Sequence, residues 1–372
     1  MIILGIESSC DETAAAVVQG GNELLSNVVF SSMDLHAAFG GVVPEIAARS
    51  HVESIIPVIE QAVQSVGWDK IDGIAVTYGA GLGGSLLVGV MTARTLAITK
   101  NKPLYGINHV EGHVYANFLT KTDLPGYQLP AAAPEFPLLA LIVSGGHSQV
   151  VLFRDHFDYT LLGQTRDDAI GEAFDKVAKI TGLPYPGGPS VAHAALSGNP
   201  LKYPLPKSRL DGVNRDLEKL RERNPKSEIR NPKNYDFSFS GVKTAVLRTA
   251  QEIIGEDYTF PSFKLAERLS SAQKHDLAAS FQRISIETVV DKTLLAYEEF
   301  QPKSVVIAGG VAANQELRRQ LSDRIPIEVQ YTDPKLCTDN GAMIATLGCF
   351  KAMLGQPTVD PYSLQIEPNL SM

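Results

Sequence analysis

The sequence lacks the features of a secreted, membrane-spanning or nucleic-acid-coating protein. Its 372 residues include three cysteines, Cys10, Cys337 and Cys349, an odd and small number that argues against a disulfide framework and predicts the reducing cytoplasm. No apolar run approaches the ~20 residues that a membrane-spanning helix needs. The first residues carry no basic region of the kind that opens a signal peptide, and we expect no membrane association. The net charge of −8 disfavours a surface coated with nucleic acid, but it allows a local basic patch or a basic partner.

The composition is that of an ordinary globular protein, and its secondary-structure pattern occurs twice. Each half shows three strand-like segments, a helix, a strand and a helix. In the first half these segments lie at residues 2–6, 14–19, 24–30, 44–66, 71–77 and about 85–99. In the second half they lie at residues 138–143, 148–153, 159–162, about 168–181, 305–308 and from Asn314 onward. The repeat predicts an α/β fold with two duplicated lobes around a central nucleotide cleft, as in the actin/Hsp70/sugar-kinase superfamily. We expect residues 1–108 plus about 336–372 in the N-terminal lobe and residues 109–335 in the C-terminal lobe.

Three of these strands lead into glycine-rich turns. The turns span residues 79–84, 144–148 and 309–314. Glycine lets the backbone approach a ligand and leaves N–H groups free to hold an anion, and a following helix adds its positive end. Three such turns at strand ends predict a nucleotide or acyl-phosphate site. The first turn also fits a dinucleotide fingerprint, but no acid occurs between Gly84 and Asn108 to bind a ribose, so we reject that interpretation.

His109 and His113 are the strongest chemical signal in the chain. On a helix, residues four apart lie on one face about 5–6 Å apart, so two imidazoles could share a cation. The alternative is a pair of buried histidines hydrogen-bonded to the backbone. Asp339 is a plausible third ligand, because two imidazoles and one carboxylate bind a divalent transition metal and leave a position open for substrate. Asp11 and Glu12 follow the first strand, where residues facing a phosphate or a metal often stand; a turn or N-cap role is the alternative for Asp11 and Asp339.

A basic segment spans residues about 204–235. Nine lysines and arginines are interleaved there with five acids: Lys207, Arg209, Arg215, Lys219, Arg221, Arg223, Lys226, Arg230 and Lys233. A solvated helix or loop and a nucleic-acid contact are the two interpretations.

Nine ordered motifs carry a resemblance to a known family. They are GIESSCDET (5–13), HAAFGGVVPEIAARSH (36–51), HVEGH (109–113), LIVSGGHSQ (141–149), DDAIGEAFDKVAK (167–179), YPGGP (185–189), DFSFSGVKTAV (236–246), GGVAAN (309–314) and CTDNGAMIA (337–345). From residue 1 to about 350 the chain resembles the TsaD family, the tRNA N6-adenosine threonylcarbamoyltransferases, which include the catalytic-subunit type of the KEOPS complex.

The resemblance implies an acyltransferase that moves a threonylcarbamoyl group from threonylcarbamoyl-AMP to N6 of adenosine 37, in tRNAs reading codons that begin with A. It implies one divalent metal ion, iron or alternatively zinc, held by His109, His113 and Asp339, with Asp11 and Glu12 as the catalytic acidic pair. The implied substrate-binding residues are Ile142, Val143, Ser144, Gly145, Gly146, Asp175, Gly188 and Asn314. The implied partners are tRNA, a paralogue of the same fold and a small ATPase.

The chain departs from the family pattern at two positions, and its motifs allow two other activities to be weighed. Ala80 stands where many members have Pro, and Ala192 where many have Asp, which puts one ribose contact in doubt.

A metalloendopeptidase of the H-E-x-x-H type needs Glu directly after the first His. Val110 occupies that position, and Glu111 is rotated by about 100° around the helix. A small-molecule kinase or ATPase of the same fold remains the main alternative.

Overall fold

The computed structural model describes residues 1–208, 210, 218 and 234–372. Most of the predicted basic insertion at 204–235 therefore lies outside the described residues. The chain divides into two compact units, one of Met1–Pro134 with Gln330–Met372 and one of Glu135–Val329. Within the described residues, no helix is both long enough and apolar enough to span a membrane.

The described residues form strands and helices in the alternating order expected of an α/β protein. The strands are β1 (Ile2–Glu7), β2 (Glu12–Gln19), β3 (Glu23–Ser31), β4 (Gly73–Gly79), β5 (Leu104–Asn108), β6 (Lys121–Thr122), β7 (Leu138–Val143), β8 (Ser148–Asp155), β9 (Asp158–Gln164), β10 (Ser304–Ala308) and β11 (Val329–Tyr331). The helices are α1 (Met33–Ala37), α2 (Pro44–Gln64), α3 (Gly83–Lys100), α4 (His109–Tyr115), α5 (Ile170–Thr181), α6 (Gly187–Ala195), α7 (Ser240–Ile253), α8 (Leu265–Arg268), α9 (Ser271–Phe300), α10 (Gln315–Arg324), α11 (Pro334–Cys337) and α12 (Gly341–Met353).

The two sheets repeat one topology. The first has the order β5-β4-β1-β2-β3-β6, in which β1, β2 and β3 form an antiparallel meander and β4 and β5 continue in parallel from β1. The second has the order β11-β10-β7-β8-β9, with an antiparallel meander of β7, β8 and β9 and with β10 parallel to β7. The predicted α/β class with a duplicated pattern of strands is therefore confirmed.

Local sequence accounts for several of the helix ends in the structure. Pro44 opens α2 at its first turn, where a missing N–H costs nothing. Asn101 ends α3 in the left-handed conformation, with φ of 51°. Ser270 and Gln273 form a capping box at the start of α9. Each of these helices therefore starts or stops where its own residues favour it.

Glycines allow α12 to lie directly on the first sheet. A Cβ at Gly5 in β1 would lie 2.3 Å from the backbone nitrogen of Ala345, and a Cβ at Gly341 would lie 2.5 Å from that of Ala16 in β2. Real Cβ atoms never come that close, so any larger residue at either position would force the helix away. This contact fixes the start of α12, and with it the preceding Asp339, beside the end of β1.

The first unit extends further along the chain than the lobe predicted to end at residue 108. The helix α4 and the 3₁₀ turn Ala116–Phe118 pack against α12. The ring centroids of Tyr115, Phe118 and Phe350 lie 5.2–5.5 Å apart. These contacts place residues 109–118 in the same hydrophobic core as α12. For the same reason His109 and His113 belong to the first unit.

Candidate metal centre and substrate-binding turn

The two histidines project from the first and second turns of α4. Asn108 caps this helix, because its side chain accepts a hydrogen bond from the Val110 backbone N–H at 2.9 Å. Both imidazoles are buried, and their ring centroids lie 4.7 Å apart. The predicted shared helix face is therefore present.

Asp339 completes the cluster, although it is distant in sequence. Its Oδ1 lies 3.5 Å from His109 Nε2 and 3.3 Å from His113 Nε2. One ligand atom from each of the three residues lies within 4.8 Å of the others. His113 is almost completely buried, yet in the described part of the chain neither of its ring nitrogens makes a hydrogen bond of good geometry. A buried nitrogen aimed at a carboxylate, beside a second imidazole, fits a divalent transition metal.

Glu7 supports His109 from behind. The imidazole Nδ1 lies 3.2 Å from Glu7 Oε2 and 3.1 Å from Ser9 Oγ, so its Nε2 points toward Asp339. Glu7 is fully buried, and it accepts hydrogen bonds from the Ser9 backbone N–H and the Thr77 hydroxyl, both at 2.5 Å. A carboxylate that orients a histidine in this way is a recurrent feature of metal sites.

Burial and neighbouring charges shift the pKa values of three residues in this cluster: His109, Glu7 and Glu12. Burial disfavours the charged imidazole, but the charges of Asp339 and Glu7 raise the pKa of His109 to about 9. Burial likewise opposes ionisation of Glu7, but the charge and hydrogen bond of His109 leave the Glu7 pKa lowered. Burial, followed by the charges of Asp339 and Asp11, raises the pKa of Glu12 to about 10. Asp339 and Asp11 thus oppose ionisation of Glu12, and a cation beside them would relieve that repulsion.

A further histidine, His51, holds the loop that carries Asp11 and Glu12. His51 of α2 lies 2.7 Å from Thr13 Oγ1 through Nδ1 and 3.0 Å from the Cys10 carbonyl through Nε2. The Asp11 carbonyl accepts hydrogen bonds from the backbone and hydroxyl of Ser32. Sequence reasoning did not single out Glu7 or His51. Glu7 could have been noticed as an acid at the end of an otherwise apolar strand, and His51 as the last residue of the motif at residues 36–51.

The turn predicted to bind substrate lies in the second unit, at the end of β7. Ser144 closes it, with its N–H donating to the His147 carbonyl at 2.8 Å and its Oγ accepting from the His147 N–H. Gly145 and Gly146 are exposed, and their N–H groups have no partner among the described residues. A Cβ at Gly309 would lie 2.5 Å from the Val143 carbonyl oxygen. The structure therefore brings the third glycine turn against this one and leaves amides open to an anion.

The remaining predicted substrate-binding residues lie on helices near this turn. Gly171, at the start of α5, donates its N–H to the Ser144 carbonyl at 3.3 Å, and Asp175 stands one turn further along α5. The Asp175 carboxylate accepts the Gly187 N–H at 2.6 Å, and a Cβ at Gly188 would meet nothing within 4 Å.

Asn314 is occupied within the protein. Its Oδ1 caps α10 by accepting the Leu317 N–H at 3.0 Å, and its Nδ2 donates to Gln282 Oε1 at 2.9 Å. Both functional ends of the amide are therefore used. A ligand could contact this side chain only through the second lone pair of Oδ1 or the second hydrogen of Nδ2, or by replacing one of these partners.

The first half of the turn at residues 79–84 packs against another segment of the first unit. The Gly81 N–H donates to the Pro368 carbonyl, and the Glu367 N–H donates to the Tyr78 carbonyl. A Cβ at Gly79 would lie 2.2 Å from the Glu367 carbonyl oxygen. Gly79 thus allows close packing of the segment around residues 366–370, whereas no described residue accepts a hydrogen bond from the N–H groups of Gly83 and Gly84 at the start of α3.

Glu111 is buried and interacts with the charge of Lys351 in α12. Burial raises its pKa to about 7, and the charge of Lys351 opposes that rise. One of its carboxylate oxygens is buried without a hydrogen bond among the described residues. Glu111 therefore faces the α12 side of its helix.

Comparison with known proteins gives one consistent result. Residues 23–346 match the family profile described as TsaD, tRNA N6-adenosine threonylcarbamoyltransferase. The chain is 48% identical to the protein of that name from Thermomicrobium roseum, over 95% of this chain and 93% of the relative. It is 47% identical to the one from Symbiobacterium thermophilum, over 94% and 91%. It is 46% identical to the one from Desulfitobacterium hafniense, over 100% and 97%.

Proposed function

Because this chain belongs to the TsaD family and is a transferase that forms N6-threonylcarbamoyladenosine in tRNA, we propose the following donor, acceptor and site. The donor is threonylcarbamoyl-AMP, and the acceptor is N6 of adenosine 37 in tRNAs that read codons beginning with A. The observation that carries the proposal is the convergence of His109, His113 and Asp339 on one point.

These three residues would hold one divalent metal ion, for which iron is our first choice and zinc the second. Two neutral imidazoles and a carboxylate suit both metals. When bound, the ion would supply a Lewis acid that polarises the threonylcarbamoyl group. Glu7 keeps the Nδ1 proton of His109 in place, which leaves Nε2 free as a ligand.

The donor's phosphate would bind in the second unit. The free N–H groups of Gly145 and Gly146, in the turn from Ile142 to Gly146, can donate to its oxygens. Asp175 and Gly188 flank the open space at the start of α6. Ala192 lies one turn beyond Gly188 in α6 and offers no polar atom there, so we propose that one ribose contact is missing or is made by another group.

Positioning accounts for most of the catalysis in this proposal. The donor is a mixed anhydride, so AMP is already a good leaving group, and the weak nucleophile is the exocyclic amine of adenosine. The amine nitrogen forms the new bond to the carbamoyl carbon, the bond to the phosphate oxygen breaks, and AMP departs. Asp11 would orient the amine or accept its proton, with Glu12 beside it.

Exposed apolar side chains on the first unit support a protein partner, for which we propose the same-fold paralogue implied by the family resemblance. Val52 and Ile56 on α2, and Leu87 and Met91 on α3, are exposed apolar pairs spaced four residues apart. The two helices pack against each other, and exposed apolar side chains of this kind are found at protein interfaces. A small ATPase as a further partner remains a prediction from the family resemblance, and a cytoplasmic location remains a prediction from the small, odd number of cysteines.

Substitution of the histidines tests this proposal against a kinase or ATPase of the same fold. We expect His109→Ala and His113→Ala each to lose bound metal, measured by plasma mass spectrometry, together with threonylcarbamoyl transfer, measured by nucleoside analysis of tRNA. His156→Ala serves as the control, because it removes an imidazole that lies outside both candidate sites. Full transfer by a metal-free double variant would contradict the metal's role. Unchanged threonylcarbamoyladenosine in cells depleted of the protein would favour the kinase or ATPase.

A further inference from the structure

A cavity of about 300 Å³ lies in the second unit between α5, α7 and the 3₁₀ turn Ser262–Lys264. No residue assigned above to metal or substrate lines it. Its volume is at the small end of the range for ligand sites, enough for one planar ring system rather than a length of peptide. Lysines and apolar side chains share its lining: Lys176, Lys179, Lys243, Ile180, Leu247 and Phe263.

Phe263 is the most unusual residue of this lining. It is 72% exposed, although a large aromatic side chain normally gains free energy by burial. Ile180 and Leu247 add apolar surface beside it. An open aromatic face at the edge of a small cavity is the arrangement on which an unpaired base stacks.

The charges around the cavity favour a negatively charged ligand. Lys176 and Lys243 both donate to Asp168, at 2.7 and 2.6 Å, and Lys176 also pairs with Glu172. Lys179 is exposed and, among the described residues, forms no ion pair or hydrogen bond. These three lysines outnumber the two carboxylates, Asp168 and Glu172, so the cavity carries a positive charge although the chain's net charge is −8. Lys179 is the cation available to a ligand.

Cations and aromatic rings continue to alternate beyond the cavity. Lys264 lies 5.9 Å from the ring centroid of Phe263, Arg248 lies 5.5 Å from that of Tyr258, and Arg268 lies 5.9 Å from that of Phe260. Alternating rings and cations are typical of surfaces that bind single-stranded nucleic acid, where bases stack and phosphates pair with Lys and Arg.

We propose that this cavity binds one unpaired nucleotide of the tRNA substrate, with its base stacked on Phe263 and its phosphate contacting Lys179. The inference rests on the proposed function, because that function supplies the RNA. A protein partner fits less well, because the cavity admits a single ring rather than a peptide and its exposed cation suits a phosphate.

The test measures KM and kcat for tRNA in the reaction in which the wild-type chain forms threonylcarbamoyladenosine. Phe263→Ala should raise KM about tenfold with little change in kcat, since stacking holds the substrate without touching the reacting atoms. Phe263→Tyr keeps the ring and should behave as wild type. Lys179→Ala should flatten the dependence of log KM on log salt by about one ion, roughly 0.7 in slope. Tyr362→Ala is the control, because Tyr362 is an aromatic residue with 71% exposure in the other unit.

A KM for Phe263→Ala within twofold of wild type would overturn the inference. So would an unchanged KM accompanied by weaker binding of AMP, which would assign the cavity to a free nucleotide, or by a higher requirement for an accessory protein, which would assign it to a partner. Failure of the wild-type chain to form threonylcarbamoyladenosine would instead contradict the proposed function. In that case filter binding of tRNA to wild type and Phe263→Ala still tests the cavity directly, and equal binding would overturn it.

Discussion

Replacing Glu7 by glutamine changes one buried atom behind the candidate metal centre. The Glu7 carboxylate is fully buried and accepts from three donors, the Ser9 N–H, the Thr77 hydroxyl and His109 Nδ1. An ionised carboxylate only accepts hydrogen bonds. Nδ1 must therefore carry its proton, which leaves the Nε2 lone pair for a metal.

The amide introduced by Glu7→Gln could be placed in two orientations, and both are unfavourable. If its NH2 group takes the Oε2 position, it faces the Nδ1 proton, and the conflict is relieved only when that proton moves to Nε2 and blocks the ligand atom. If the NH2 group takes the Oε1 position, it faces the Ser9 N–H and leaves a buried backbone donor unpaired. Such a donor costs about 1–3 kcal/mol. The first orientation accounts for the roughly 10- to 100-fold loss of metal affinity that is usual when such a supporting group is changed. The second orientation costs folding stability in the metal-free and the metal-bound protein alike.

Competition with a chelator of known affinity measures the effect on the purified full-length protein. The matched control is Glu111→Gln, because Glu111 is also buried, lies between the two histidines on α4, and interacts with the charge of Lys351. Both substitutions replace a buried carboxyl group of the first unit by an amide, but only Glu7→Gln disturbs the histidine proton. Equal losses of affinity in the two variants would refute the proton-holding role and leave a general effect of charge. Unchanged affinity in Glu7→Gln would refute both.

The sequence predicted the elements better than it predicted their contacts. The meander of β1, β2 and β3 and the start of α2 at Pro44 follow from alternating hydrophobicity and from proline at a helix start, which are local properties. The shared face of His109 and His113 also follows from helical spacing alone. Asp339 could be proposed only by chemistry, because its position depends on Gly5 and Gly341 allowing α12 onto the sheet.

Other parts of the site could not be predicted because competing contacts decide them. The turn at 79–84 has the glycines of an anion site, but the segment that contains Glu367 and Pro368 packs against its first half. Asn314 has the donor and acceptor of a ligand contact, but it also has the local preference of an N-cap residue, and in the structure it caps α10. The contact at 79–84 depends on which distant segment packs against the turn, and that information is spread over the whole sequence. The role of Asn314 instead depends on its place at the start of a helix.

Packing and charge give two further tests. Gly341→Ala should destabilise the protein by about 1–3 kcal/mol, because its Cβ would lie 2.5 Å from the backbone of β2. In urea denaturation Gly241→Ala is the control, since its Cβ would meet nothing within 4 Å; equal losses would contradict the packing argument. Asp168→Asn should cost about 1–2 kcal/mol at pH 7, because the amide can accept from only one of Lys176 and Lys243 and carries no charge to pair with these partly exposed lysines. Burial alone would raise the Asp168 pKa, but these lysines lower it from 3.8. A carboxylate with a lowered folded-state pKa stabilises the protein above its unfolded pKa and loses that contribution as pH falls through the folded value. The difference between wild type and Asp168→Asn should therefore hold from pH 7 to about pH 4 and shrink below it, whereas a difference that persists unchanged at about pH 2 would show that the carboxylate's charge is not its source.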